Sequence, residues 1–439
     1  MTDWFPLTFL IGGLLFALVT GFPMAFALAS SSIIAAWIFI GPMSLPFIAT
    51  NTFGMMSNMV LVAMPLFIFM ACVLEKCGVA HSLYNFMHQL LGGLRGGLSM
   101  GTVLICTVIA AMSGVTTTGV VTMGIIALPI MLKHGYSKSI SIGPILAGGA
   151  LGILIPPSIS LIIYGMIARV SIGRLFAAGI IPGLLLSSLF LSYIGIRCYF
   201  QPHLAPALPP DERVSLKEKL YLAKGLVLPV LLIIAVLGSI FLGIASPTEA
   251  AAVGAAGALV SAAANRRLNW QMLKEASYRT MAVNGMIMWI LFGASCFTSI
   301  FFRTGGADLI TDAVIGAGLE PVHFFLIAIA IMIVLGFFLD EITEMMLTIP
   351  VLLPIVIELG YDPVWFGILF MVEEQMDYLT PPFGFTLFYM KGVAPPEVSM
   401  GDIYGSILPF IAIQFVVMLI ILFYPPITLW LPDLIFGAR

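Results

Sequence analysis

The chain has 439 residues, of which 61% are hydrophobic and 9% charged, and its formal net charge is −3. Soluble domains carry roughly 25% charged residues, so soluble globular, disordered and nucleic-acid-binding classes are excluded. Eighteen Lys and Arg serve the whole chain without forming a basic stripe, and the solvent that suits this composition is a lipid bilayer.

A membrane span needs about 20 apolar residues. Apolar runs predict spans near 6–22, 24–41, 58–74, 140–166, 176–197, 225–245, 248–264, 281–300, 363–390 and 404–424. Two longer blocks, about 98–132 and 322–358, are each interrupted by a polar cluster. They predict re-entrant helical hairpins. The expected fold is thus an all-α polytopic membrane protein with about ten spans and two re-entrant hairpins. Ser246, Pro247 and Glu249 predict a capped helix start. The Ala/Gly run after them suits close helix packing.

Lys and Arg favour cytoplasmic loops. Lys76 with Arg95, Lys133 with Lys138, the group Arg197, Arg213, Lys217, Lys219 and Lys224, and the group Arg266, Arg267, Lys274 and Arg279 mark four such loops. Asp308, Asp312 and Glu320, then Glu358 and Asp362, mark the opposite face. Arg169, Arg174 and Arg303 run against this pattern. Cys72, Cys77, Cys106, Cys198 and Cys296 lie in apolar runs without a CxxC, and are expected to be buried small hydrophobes. The five His form no HxxxH or HExxH, and no GxxxxGK[ST] is present, so no metal-hydrolase motif and no ATP-binding P-loop is expected. Met1 to Phe5 lack the basic start of a cleavable signal peptide.

The sequence repeats itself. Pro129 and Pro354, Tyr136 and Tyr361, Pro156–Pro157 and Pro381–Pro382, and Tyr164 and Tyr389 all stand 225 residues apart without a gap. Residues 58–200 and 281–425 read as two copies of one transport unit, set between N-terminal scaffold helices at 1–57, a cytoplasmic loop with scaffold helices at 201–280, and a tail at 426–439. The equivalent Gly-Tyr loops carry Lys133 and Lys138 in one copy, Glu358 and Asp362 in the other. That sign change predicts inverted topology, the pattern of secondary transporters.

Non-helical backbone inside a membrane must line a cavity or protein, because unpaired N–H and C=O groups cost several kcal/mol each in lipid. Four such breaks are predicted: Ser113–Gly119, Gly152–Ser158, Leu339–Thr343 and Asp377–Gly384. Freed carbonyls and hydroxyls are hard ligands for Na⁺, and half-helix N-termini attract anions. The expected ion-binding residues are Ser113, Gly114, Thr116, Thr117, Thr118, Gly152, Pro156, Asp340, Thr343, Thr380 and Pro381. The expected substrate-binding residues are Pro157, Ser158, Asp340, Glu373, Asp377 and Pro382. The first hairpin tip is expected to meet the second break near mid-membrane, and the second tip the fourth break. A lone charge at the bilayer centre costs about 2.5–3.5 kcal/mol. Asp340, Glu373 and Asp377 are therefore functional candidates, whereas Glu341 and Glu344 are expected toward an aqueous loop. Glu373 and Asp377 share a helix face, and three arrangements are open: an extra cation, a carried proton, or a positive group on the substrate.

Four segments carry a resemblance: "MPLFIFM" at 64–70, "LGILIPPSISLIIYG" at 151–165, "SPTEAAAVGA" at 246–255 and "DPVWFGILF…LTPPFGFTLFY" at 362–389. Across essentially its whole length the chain resembles the large membrane subunit, DctM type, of tripartite ATP-independent periplasmic (TRAP) transporters. The resemblance implies an elevator-type transporter of the bacterial inner membrane, coupled to Na⁺ and not to ATP. It implies a periplasmic solute-binding protein that delivers substrate. It also implies a small four-helix membrane subunit, expected as a separate chain. Two positions depart from the family pattern. The first tip, usually Ser-Gly-Ser-Ser, here continues from Ser113 and Gly114 into Val115 and three threonines. The usually neutral segment before the second Pro pair is here Glu373-Glu374-Gln375-Met376-Asp377, which disfavours a bare anion. The alternatives are an elevator-type anion transporter that needs no binding protein and an intramembrane hydrolase using Asp340 and Asp377.

Overall fold

The computed structural model describes residues 4–209, 216–316, 318 and 320–437, and its regular structure is helical throughout those residues. It opens with α1 (Trp4–Val19), α2 (Met24–Phe39), α3 (Ser44–Met56), α4 (Ala63–Lys76) and α5 (Val79–Leu91). The first repeated block, 58–200, already holds α4 and α5 and continues with α6 (Gly97–Ser113), α7 (Thr116–Lys133), α8 (Lys138–Ala150), α9 (Ile159–Ala168) and α10 (Ile172–Phe200). The middle is α11 (Leu216–Phe241), α12 (Pro247–Ala264), α13 (Trp270–Arg303) and α14 (Gly306–Gly316). The second repeated block, 281–425, begins inside α13 and continues through α14 with α15 (Pro321–Gly336), α16 (Glu341–Glu358), α17 (Pro363–Asp377), α18 (Phe385–Val393) and α19 (Met400–Phe423), and α20 (Pro426–Phe436) follows. Pro210 and Arg213 of the basic loop lie outside the described residues.

Five helices are long and apolar enough by length and composition to cross a membrane: Met59–Lys76, Thr116–Lys133, Ile172–Phe200, Trp270–Arg303 and Met400–Phe423. The stretch expected to cross as one span at 140–166 is instead α8 and α9 with a break between them. At 1.5 Å per residue neither piece reaches across about 30 Å of hydrocarbon. The block at 363–390 divides the same way, into α17 and α18. In contrast α7, half of an expected hairpin, itself reaches the length of a span.

The helix bounds follow the sequence offset. α7 and α16 differ by 225 residues at both ends, and α8 and α17 begin 225 apart. α6 and α7 fold back on each other: the Leu98 N–H donates to the Tyr136 hydroxyl at 3.3 Å, joining their outer ends. The Phe325 ring, near the start of α15, meets the Tyr361 ring beyond α16 with centroids 4.8 Å apart.

α8 and α17 form the centre. Every residue from Ile140 to Ala150 is buried, and so is every residue from Val364 to Asp377. α8 packs on α6, α7 and α19, while α17 packs on α10, α15, α16 and α19. Outside them, α2, α4 and α12 pack with α13 or with one another. The Ser246–Glu249 capping box forms as the sequence predicts, with Ser246 N–H donating to Glu249 Oε2 at 2.7 Å and Glu249 N–H to Ser246 Oγ at 3.3 Å. All five cysteines are free and buried.

Two of the three discordant arginines acquire partners that local sequence could not supply. Arg174, 5% exposed, donates to Asp433 Oδ1 at 2.6 Å and to the Gly437 carbonyl at 2.8 Å. The expected tail at 426–439 is thus largely a packed helix, α20, lying on α10. Arg303 stacks its guanidinium over Phe47, 3.3 Å from the ring centroid. Arg169 stands exposed at the C-cap of α9 with φ 53°.

Candidate functional site

The four interruptions fall where proline, glycine and polar residues replace helix formers. α6 ends at Ser113, Gly114 takes a left-handed φ of 61°, and α7 starts at Thr116. After α8 a short 3-10 turn at Leu151–Ile153 leads to a cis Pro156–Pro157 bond, and Ser158 caps α9. α15 ends at Gly336, and Asp340 caps α16. After α17 the chain passes a cis Pro381–Pro382 bond into α18.

The first tip lies directly on the second break. A Cβ built on Gly114 would stand 2.5 Å from the Pro157 carbonyl oxygen and 3.2 Å from Ser158 Cα. One on Gly152 would stand 2.9 Å from Val115 C and 3.0 Å from Thr116 N. Glycine at both positions lets backbone touch backbone. The second tip lies on the fourth break in turn. A Cβ on Gly336 would overlap the Asp377 carboxylate, and Tyr378 OH donates to Glu341 Oε2 at 2.8 Å. A link crosses between the halves: Ser160 Oγ, in the first turn of α9, donates to Glu341 Oε1 at 2.6 Å.

The individual ligand candidates separate into kinds. Ser113 is buried, with its hydroxyl donating weakly to the Val115 carbonyl at 3.4 Å. Thr116 is buried with Oγ1 unpartnered. Thr117 and Thr118 are half-buried. Because α7 begins at Thr116, the three threonines fan around a helix axis and do not converge. Thr118 instead joins Ser113, Glu75 and Thr122 around a cavity of about 20 Å³, enough for one water or small ion. The Ser158 hydroxyl is occupied as a cap, donating to the Ile153 carbonyl at 2.5 Å and accepting from Leu161 N–H at 3.3 Å. Thr343 Oγ1 donates to Asp340 Oδ2 at 2.7 Å, and Thr380 Oγ1 to the Met376 carbonyl at 2.6 Å. Pro156 and Pro157 are buried, Pro381 half-buried and Pro382 exposed.

The acids differ most from their expected surroundings. Glu341 does border the tip, half-buried. Glu344, expected in an aqueous loop, is instead 0% exposed. Once α16 starts at Glu341, helical phase turns Glu344 inward beside Glu373 and Asp377. One oxygen from each of the three lies within 4.8 Å of the others. Glu374, 3% exposed, is a further buried acid.

A larger cavity of about 740 Å³ opens between α3 and α13 on one side and α9 and α16 on the other. Its polar lining includes Thr50, Asn51, Arg169, Ser295, Thr298 and Ser299. Asn51 Nδ2 donates to Ser295 Oγ at 2.9 Å and also to Ser299 Oγ. None of the tip or break residues lines it, although Met346 of its wall stands one turn beyond Thr343 on α16. Asn51, Ser295 and Ser299 are not among the site residues expected from the sequence. Ser295, Thr298 and Ser299, at helical spacing in the apolar second half of α13, are the signal that marks this lining.

The family model described as "Tripartite ATP-independent periplasmic transporter, DctM component" matches residues 11–427. The C4-dicarboxylate TRAP transporter large permease protein DctM of Vibrio cholerae is 32% identical, over 96% of this chain and 96% of its own length. The ectoine/5-hydroxyectoine TRAP transporter large permease protein UehC of Ruegeria pomeroyi is 30% identical, over 96% of this chain and 97% of its own. These relatives are permease subunits, not enzymes. Among solved structures, the YdaH transporter of Alcanivorax borkumensis superposes with a TM-score of 0.66 over 94% of this chain and 99% of its own, at 15% identity, a likeness of fold alone.

Proposed function

Because the chain belongs to the DctM component family of tripartite ATP-independent periplasmic transporters, we propose that it is the permease subunit of a Na⁺-coupled secondary transporter that imports a small organic solute. The carrying observation is the pair of tip-on-break contacts, Gly152 against Val115–Thr116 and Gly336 against Asp377, joined by the Ser160–Glu341 hydrogen bond. Each pairing puts a helix N-terminus, freed carbonyls and hydroxyls together, which suits Na⁺ on one side and an anionic substrate group on the other. The buried, unpartnered Thr116 Oγ1 is the best placed hydroxyl for the first ion.

Inverted topology of the two blocks belongs to the same proposal. Lys138, at the start of α8, reaches Asp402 at 2.8 Å and the Glu397 carbonyl at 2.6 Å. Tyr164, near the end of α9, donates to the Pro363 carbonyl at 2.6 Å. The α8–α9 element therefore runs from the end where α18 leads into α19 toward the end where α17 begins, and α17–α18 runs the other way. In an elevator reading, this pair of crossed broken elements moves as the carrier against the helices around α13. The cavity with Arg169 and the Asn51–Ser295 pair is the vestibule where solute arrives. A small carboxylate or a zwitterion fits this lining; the names of the two relatives, dicarboxylate and ectoine, span that range. The proposed partners are a small four-helix membrane subunit and a periplasmic solute-binding protein, with the bacterial inner membrane as the site of action.

The test is uptake into proteoliposomes holding this chain with both partners. Uptake is expected to require an inward Na⁺ gradient and to stop when the binding protein is left out. Unchanged uptake in Na⁺-free buffer refutes the coupling. Unchanged uptake without the binding protein turns the reading toward a transporter that takes solute directly.

A further inference from the structure

At the fourth break, whose first residue is Asp377, three acids form an arrangement beyond the backbone and hydroxyl ligands proposed for the tip ions. Glu344 lies in the first turn of α16, and Glu373 and Asp377 are one turn apart at the end of α17. Glu344 and Glu373 are 0% exposed and Asp377 is 4% exposed. Both carboxylate oxygens of all three are buried and take no hydrogen bond from any other group, Glu373 and Asp377 standing within hydrogen-bond reach of each other alone, and Glu374 Oε1 is likewise buried without a donor. Among the described residues, none of the ion pairs involves these acids. Side chains from two separate helices thus bring oxygens that no outside donor satisfies to one point, one oxygen from each acid within 4.8 Å of the others.

The same positions in the first block are empty of chemistry. Counting back 225 residues, Glu344 corresponds to Gly119, Glu373 to Gly148, Glu374 to Gly149 and Asp377 to Gly152. There the helices close backbone against backbone: a Cβ on Gly119 would stand 3.1 Å from Gly149 Cα. In the second block the room left by that packing holds carboxylates. Gly336 of α15 adds space on the far side, facing Asp377 without a side chain.

We infer that Glu344, Glu373 and Asp377 form a buried site for a bare hard cation of the Ca²⁺ or Na⁺ size class, with Glu374 in reserve. An ion bonded to oxygens at about 2.3–2.6 Å holds its donors no more than roughly 5 Å apart, and the three acids meet that limit. Hard cations take all-oxygen, anionic ligand sets of this kind. Unneutralised, three buried charges would each cost several kcal/mol and repel one another. Every oxygen is shut from solvent, which disfavours a substrate ammonium group that carries a carbon chain. The inference concerns binding by the chain itself and does not rest on Na⁺-coupled uptake.

The experiment measures equilibrium binding of ⁴⁵Ca²⁺ and ²²Na⁺ to the purified full chain, stripped with chelator into choline buffer. It compares wild type with Glu344→Gln, Glu373→Gln and Asp377→Asn, each of which keeps side-chain shape. Each variant is expected to bind about one ion per chain fewer than wild type. The ion whose count falls identifies the occupant, and sites at the tips keep theirs. In cation-free buffer at neutral pH each variant is expected to melt at or above the wild-type temperature, because a buried acid that is better solvated in the unfolded chain is gone. Three variants on two helices report on one site, so misfolding of any one leaves two readings. Equal stoichiometry of both ions in wild type and variants overturns the site, and so does a wild type that binds neither ion in excess of the variants while releasing protons on unfolding.

Discussion

Gly152→Ala tests the contact on which the transport reading depends. The added methyl carbon would stand 2.9 Å from Val115 C and 3.0 Å from Val115 O and Thr116 N. Carbon atoms pack best at about 3.5–4.0 Å, so the overlap is more than half an ångström against backbone that has no rotamer to change. Overpacking of a tight interior costs about 1–3 kcal/mol. The second break continues into buried prolines, whereas the first tip has a glycine hinge at Gly114, so the tip should move. If that displacement is borne by the ion-bound state, the Na⁺ concentration for half-maximal uptake rises roughly 5- to 150-fold, at 1.4 kcal/mol per tenfold. The assay is uptake against Na⁺ concentration, with thermal unfolding in parallel. Gly238→Ala on α11, where a Cβ meets nothing within 4 Å, is the control. It should leave Na⁺ dependence unchanged and can add up to about 1 kcal/mol of helix stability. Wild-type Na⁺ dependence together with wild-type melting in Gly152→Ala would refute the reasoning. A lowered melting temperature with unchanged Na⁺ dependence would keep the packing and remove the ion from that tip.

Three other predictions follow from particular contacts. Asp433→Ala should cost about 3–5 kcal/mol, because it strands the Arg174 guanidinium, whose side chain is 6% exposed; Arg174→Ala should cost less, about 1–3 kcal/mol, because the Asp433 side chain is 35% exposed and reaches water. Melting in detergent ranks the two, and the reverse order defeats the argument. Thr116→Val, which removes a buried and unpartnered hydroxyl, should weaken Na⁺ dependence more than Thr117→Ala, where the side chain is half-buried; equal half-saturation for Na⁺ in both variants counts against Thr116. Single cysteines at Lys138 and Asp362 should react with an impermeant maleimide from opposite sides of the membrane, and labelling of both from one side would overturn inverted topology.

What the sequence made legible was the set of interruptions, because their cause is local. A Pro pair removes donors and blocks the helix wherever it falls, so the breaks at Pro156–Pro157 and Pro381–Pro382 could be read without knowing what surrounds them. The capping box at Ser246 is local in the same sense. The short helices α3, α5, α14 and α20 were missed because polar residues keep their apolar runs well under a span's length, and packing decides whether such segments are helical. Arg174 looked misplaced because its partner, Asp433, is 259 residues away. The three tip threonines looked like one ligand group because adjacency in sequence hides the rotation of about 100° per residue that a helix imposes.

Glu344 shows where local reading stops and why the two blocks must differ. From sequence, an acid near a polar tip belongs in water, since the cost of burying it alone is several kcal/mol. That cost assumes it is alone. Helix α16 carries Glu344 to the same point that α17 carries Glu373 and Asp377, and the three together make a ligand set that none makes singly. The first block, with glycine at all four corresponding positions, cannot make one and closes its helices instead. Two blocks with matching helices and matching Pro breaks therefore need not bind alike: one closes its helices with backbone contacts at glycine, while in the other carboxylates stand where those contacts would be. On this account a cation between Glu344, Glu373 and Asp377 acts as the packing of the second block, and its departure would loosen α16 from α17 beside the fourth break. Protection of the α16 and α17 amides from hydrogen exchange should then fall when the cation is stripped, while α7 and α8 stay unchanged; an equal response in both blocks would break the link between the acids and the packing.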